Sequence, residues 1–140
     1  MKKIIALFGL ANSGKSSTLK IVHNELYKLS SSEVDEYHIA GNDLRDIFVI
    51  NNFRVGIETQ GDPGRRLEDS IRFFTKEECK LIICTTRTKG QTVKLVENNS
   101  PPYDISWRGQ SFVSDAALRD ESNIAIANFI IKETKAFIRA

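Results

Sequence analysis

Residues 9–16 match the pattern G-x-x-x-x-G-K-[ST] at every fixed position. Gly9 and Gly14 let the backbone approach a ligand closely and adopt conformations that a Cβ would block. Backbone N–H groups in such a loop, with the start of a helix near Lys15, attract an anion. The Lys15 ammonium would reach the β- and γ-phosphates, and the Ser16 hydroxyl would complete a Mg²⁺ shell. The spacing therefore predicts a polyphosphate cradle.

The segments on either side of this motif have the periodicity that such a loop requires. A β-rich apolar run at residues 4–8 precedes it, and Leu19, Val22, Leu26 and Leu29 follow at helical spacing. In this context the chain resembles the P-loop NTPase superfamily. The resemblance implies Mg²⁺ with ATP as the ligand, GTP being the less favoured nucleotide. The residues expected to contact the nucleotide are Gly9, Ala11, Asn12, Ser13, Gly14, Lys15, Ser16 and Ser17.

Turnover of a nucleotide also needs a carboxylate near the metal ion, and two residues compete for this role. Glu58 ends an apolar strand directly, whereas Asp62 lies four residues further on in a glycine-rich turn. We favour Asp62, with Ser16, as the Mg²⁺-side residue and leave Glu58 or Gln60 to orient water. The assignment between the two carboxylates stays open.

Arginines are the second catalytic requirement, because they neutralise charge that develops on the transferred phosphoryl group. Arg87 follows a buried strand and is the best-placed candidate. Arg65 and Arg66 follow the Asp62 turn and are alternatives as a clamp. Arg108, at the end of the last strand, is expected on the same rim as the loop. Lys15, Asp62, Glu58 and Arg87 form the predicted catalytic set.

The elements that must position these residues alternate between strands and helices. This order predicts an α/β protein: a three-layer α/β/α sandwich with a mostly parallel sheet, the P-loop NTPase fold, and a β-hairpin. Residues 30–33 are interpreted as a polar linker and His23 as a helix-surface residue. The remaining expected strands are 37–40, 46–50, 53–58, 80–85 and 103–107, and the later helices are one carrying Leu67, Ile71 and Phe74, then 91–97 and 121–138.

Composition limits the protein to a narrow class. The 140 residues are 41% hydrophobic and 27% charged, with a net charge of +2. This fits one domain at residues 1–140 and excludes disorder. No apolar run approaches 18 residues, so no membrane span is expected. The even charge does not favour a nucleic-acid partner. Cys84 is interpreted as a buried hydrophobe, and a cytoplasmic location is the default.

Three functions fit these observations. The first is ATP hydrolysis or transfer of the γ-phosphoryl group to a small-molecule acceptor. The second is a GTPase-like switch, but the guanine-reading N-K-x-D motif is missing, since residues 106–109 and 88–91 do not match it. The third is a nucleotide-binding module that acts through a protein partner. The sequence does not specify the acceptor or the oligomeric state.

Overall fold

The structure is a computed structural model that describes residues 1–10, 14–38, 44–59 and 64–139. Strands and helices alternate along these residues. The strands are β1 (Lys3–Phe8), β2 (Ser32–His38), β3 (Leu44–Ile50), β4 (Phe53–Glu58), β5 (Leu81–Thr86) and β6 (Asp104–Gly109). The helices are α1 (Lys15–Leu29), α2 (Gly64–Lys76), α3 (Gln91–Glu97) and α4 (Ala116–Arg139).

The six strands form one sheet in the order β2-β3-β4-β5-β1-β6. The neighbours β4, β5, β1 and β6 run parallel, whereas β2 and β3 add antiparallel pairs at one side. The sheet is therefore mixed but mostly parallel. This confirms the predicted α/β class and its sheet type.

The predicted hairpin is present between β3 and β4. Its turn consists of Asn51 and Asn52, which both have positive φ, at 50° and 67°. Two-residue hairpin turns favour such values because their twist matches that of the flanking strands, and asparagine tolerates them. Pairing runs from Ile50–Phe53 to Arg45–Glu58, so β3 begins two residues before the predicted start at Asp46.

Side chains alternate between the two faces of the sheet, and helices cover both faces. Ile5 and Leu7 of β1 pack in one apolar cluster with residues of α1 and α4. Ile4 and Ala6 point the other way and pack with residues of α2 and α3. The described residues thus form helix, sheet and helix layers. In α2, the three predicted face residues Leu67, Ile71 and Phe74 are all buried, as expected.

Several predicted boundaries were wrong for identifiable reasons. β2 begins at Ser32, within the predicted linker; it lies at the edge of the sheet, where polar sequences are tolerated. α4 begins at Ala116 rather than near 121, because the Asp115 carboxylate accepts the Leu118 N–H at its first turn. The last strand, expected at residues 103–107, is β6 and ends at Gly109.

His23 corrects the interpretation of α1. Its side chain is 12% exposed, and its Nε2 lies 2.8 Å from Oδ2 of the fully buried Asp46 in β3. The His23 ring also packs against Phe48 at a centroid distance of 5.0 Å. His23 therefore links α1 to the hairpin instead of lying on the helix surface. At the end of α1, the predicted apolar residue Leu29 is 42% exposed.

Candidate functional site

The loop after β1 lies where neighbouring parallel strands lead to opposite faces of the sheet. β1 leads into α1, which packs on the face of Ile5, and the adjacent β5 leads into α3, which packs on the face of Ile4. In open α/β sheets the carboxyl ends of two such strands are the usual ligand position. The Gly9 N–H donates to the Thr86 carbonyl at 3.3 Å, which ties the loop to the end of β5.

Gly14 begins α1 in a left-handed conformation with φ 96° and ψ 10°. A Cβ at this position would lie 2.7 Å from Oδ1 of Asn123 and 2.8 Å from Nε2 of Gln110. Both contacts are shorter than side chains tolerate. Glycine is therefore favoured by its backbone angle, which strains any other residue, and a Cβ would also force these two side chains to shift.

The atoms that crowd Gly14 belong to a buried polar network. The Thr18 hydroxyl donates to Oε1 of Gln110 at 2.9 Å, and Nε2 of Gln110 donates to Oδ1 of Asn123 at 2.6 Å. These residues come from α1, from the end of β6 and from α4. None of the three was predicted from the sequence. The available signals were Gln110 directly after a strand and Asn123 within an apolar helix stripe.

Lys15 folds back over the loop that it follows. Its Nζ donates to the carbonyl oxygens of Gly9 at 2.8 Å and of Leu10 at 2.7 Å. A positive charge is thus held across the loop at the amino end of a 15-residue helix, whose own dipole adds positive potential. The structure brings Gly9, Gly14 and Lys15 together as the motif predicts.

The predicted Mg²⁺ ligand Ser16 lies next to the end of β4. Its hydroxyl donates to the Thr59 carbonyl at 3.3 Å, and the Thr85 hydroxyl donates to the same oxygen at 3.3 Å. β5 separates β4 from β1, so these strands are about 10 Å apart. The contact nevertheless joins the start of α1 to the segment that leads to Asp62. Ser17 follows as an exposed residue.

The structure describes one of the two competing carboxylates. Glu58 is fully buried at the end of β4, and its carboxylate accepts a hydrogen bond from the Ser70 hydroxyl of α2. Asp62 lies outside the described residues, as do Ala11, Asn12 and Ser13 of the loop.

Burial, with a smaller effect of the Glu58 charge, raises the pKa of the neighbouring Cys84 thiol to about 12. Cys84 is the buried, unpaired cysteine that the sequence predicted.

The two arginines expected at strand ends have different surroundings. Arg87 follows β5 with an exposed side chain, and its backbone N–H donates to the Thr92 hydroxyl at 3.0 Å. Arg108 turns toward α4 instead. Its Nε lies 3.4 Å from Oε1 of Glu133, and its guanidinium stacks on Phe129. Arg108 therefore does not join the loop, contrary to the sequence expectation.

Within the described ranges, no three His, Cys, Asp or Glu side chains are grouped closely enough to hold a metal ion. Of the helices in the same ranges, none has the length and apolar character needed to cross a membrane. Comparisons with protein families, with curated proteins and with solved structures find nothing that matches this chain.

Proposed function

We propose that this protein is a P-loop nucleotide-binding domain that binds Mg²⁺-ATP at residues 9–17 and hydrolyses it or transfers its γ-phosphoryl group to a small molecule. One observation carries the proposal: the Lys15 ammonium lies over the Gly9 and Leu10 carbonyls at the point where β1 and β5 lead to opposite faces. ATP is preferred to GTP because residues 106–109 and 88–91 do not match N-K-x-D.

The charges at this point favour an anion of high charge density. Lys15 bonds two neutral carbonyl oxygens, and phosphate oxygens form stronger, charge-assisted hydrogen bonds with an ammonium group. The N-terminal N–H groups of α1 add partial positive charge on the same side. A triphosphate satisfies both features, which supports binding through the phosphates.

The oxygen atoms beside the loop are of the type that binds Mg²⁺. Ser16 Oγ and the Thr59 carbonyl oxygen lie 3.3 Å apart, and Mg²⁺ selects such hard oxygen ligands. In this proposal Ser16 and Asp62 hold the ion, which neutralises charge on the β- and γ-phosphate oxygens when it is bound. Arg87, exposed at the end of β5, supplies further positive charge toward the γ-phosphate.

The test of this proposal is Lys15→Ala, with Lys28→Ala as its matched control. Lys28 is an exposed lysine in the last turn of the same helix, far from the loop. We expect Lys15→Ala to weaken Mg²⁺-ATP binding at least tenfold in calorimetric titration, because a charge-assisted hydrogen bond is lost. Lys28→Ala should bind ATP like the wild type, and circular dichroism should show both variants folded.

Wild-type ATP affinity in Lys15→Ala would refute the site. The reaction itself is read from free phosphate, measured with Mg²⁺ and each nucleoside triphosphate, with and without a panel of small metabolites. Phosphate released without an acceptor identifies a hydrolase. ADP formed only when an acceptor is present identifies a phosphotransferase.

A second candidate is a nucleotide-dependent switch or binding module that acts through a protein partner. It is favoured by Glu58, whose buried carboxylate accepts a bond from Ser70. In this second function the Glu58 carboxylate, held against α2, braces the fold and does not orient water. Tight Mg²⁺-ATP binding without turnover in the same assay would favour this function over the first.

A further inference from the structure

Phe112 is a large exposed aromatic side chain two residues beyond Gln110, whose side chain lies against Gly14. It belongs to the segment 110–115 between β6 and α4, and it is 55% exposed. The first residue of this segment, Gln110, donates its N–H to the Phe8 carbonyl at 2.9 Å. The Gln110 side chain lies against Gly14. Two residues of chain reach at most about 7 Å, so the Phe112 backbone stays near the end of β1 and the Gln110 anchor beside Gly14.

Hydrogen bonds hold the segment on both sides of Phe112. Gln110 anchors its start, and Arg119 of α4 donates to the carbonyl oxygens of Val113 at 2.8 Å and Ser114 at 3.0 Å. Asp115 then caps α4 by accepting the Leu118 N–H. The backbone around Phe112 is therefore fixed relative to the loop, although the ring itself is largely exposed to solvent.

Trp107, a second aromatic residue near this edge, is already used in packing. Trp107 is half-buried and contacts the Phe8 ring in a T-shaped arrangement at 6.1 Å. It packs against the apolar cluster on the α2 and α3 side of the sheet. Phe112 is not part of either buried cluster, so its ring face is accessible to a ligand.

We propose that Phe112 is the stacking platform for the nucleobase of the bound nucleotide. The inference rests on the proposed function, because the phosphates at Lys15 and Gly14 place the rest of the nucleotide along this edge. An aromatic ring stacks on any base, since every base has a π-face, so Phe112 distinguishes a nucleotide from a bare polyphosphate.

The experiment compares Mg²⁺-ATP with inorganic tripolyphosphate, which has the same phosphate chain and no base. Phe112→Ala is measured beside Phe129→Ala, a control of equal residue type that is 58% exposed on α4. Phe129 lies six residues beyond Asn123, about 9 Å further along the helix. We expect Phe112→Ala to weaken ATP binding at least fivefold and to leave tripolyphosphate binding within about twofold.

Phe112→Trp should bind ATP as tightly as the wild type, because stacking needs an aromatic ring and not a particular side chain. Equal ATP affinity in Phe112→Ala and the wild type would overturn the inference, and the proposed function would still stand if Lys15→Ala lost binding. Equal losses for both ligands would also overturn it, since Phe112 would then support the loop. A wild-type protein that binds neither ligand would refute the proposed function and this inference together.

Discussion

Gly14 lies at a point where three elements meet: α1, the end of β6 and α4. It takes a left-handed φ of 96° at the start of α1, and the side chains of Gln110 and Asn123 occupy the space beside it. We predict that Gly14→Ala lowers the free energy of unfolding by about 1–3 kcal/mol, through backbone strain and the close contacts. Urea denaturation with intrinsic Trp107 fluorescence measures this loss.

The Asn123→Ala variant separates the two causes. Removing the amide creates room for the new Cβ but does not change the backbone strain. We therefore expect the double variant to lose less stability than the sum of the single variants. Strict additivity would show that the contact with Asn123 does not contribute, and that the backbone angle and the contact with Gln110 cause the loss.

Glu133 connects three elements on one face of the sheet. Its carboxylate lies 2.8 Å from Lys3 Nζ in β1 and 3.4 Å from Arg108 Nε in β6, while Glu133 itself belongs to α4. Burial alone would raise its pKa. Hydrogen bonds from Lys3 and Ser106 and the charges of Lys3 and Arg108 outweigh burial, so the pKa lies below the ordinary 4.5.

A lowered pKa makes the stability of this layer depend on pH. The contribution of Glu133 is present above the unfolded value of 4.5 and is lost as the pH falls through the lower, folded value. We predict that Glu133→Gln flattens the fall in unfolding free energy measured from about pH 7 to about pH 3. Glu121→Gln, at an exposed position of α4, should keep the wild-type slope. Parallel curves for Glu133→Gln and the wild type would contradict the assignment.

At the scale of the whole molecule, the sheet separates two apolar clusters, and both cysteines lie in the cluster covered by α2 and α3. Cys79 and Cys84 are buried and unpaired. Burial raises the pKa of each thiol to about 12. Because the thiolate is the reactive form, both side chains are protected by access and by charge state in the folded protein.

We predict that Ellman's reagent at about pH 8 reacts with neither thiol in the native protein and with both after unfolding in guanidinium. The reaction rate in intermediate denaturant should follow the unfolded fraction, since the same core buries both groups. Cys79→Ala and Cys84→Ala assign the two signals. A fast phase of the reaction under native conditions would show that the protein opens locally around one of these side chains.

Local patterns in the sequence were enough for much of this architecture. The strand–loop–helix around residues 9–16 and the turn at Asn51 and Asn52 could be predicted, because residues adjacent in the sequence determine these conformations. The bounds of α3 were predicted without error as 91–97, and the buried face of α2 was predicted correctly. Polar edge strands and helix caps were harder to predict. β2 and the first turn of α4 depend on pairing and capping partners rather than on apolar periodicity.

Contacts between distant segments could not be read in this way. Thr18 and Gln110 are 92 residues apart, yet they meet beneath Gly14 with Asn123. The His23–Asp46 pair and the position of β5 between β1 and β4 likewise follow from the packing of the sheet and its helices. A polar side chain has the same local sequence signal whether its partner is water or a buried amide. The sequence therefore predicted a phosphate loop, and the folded chain established what surrounds it.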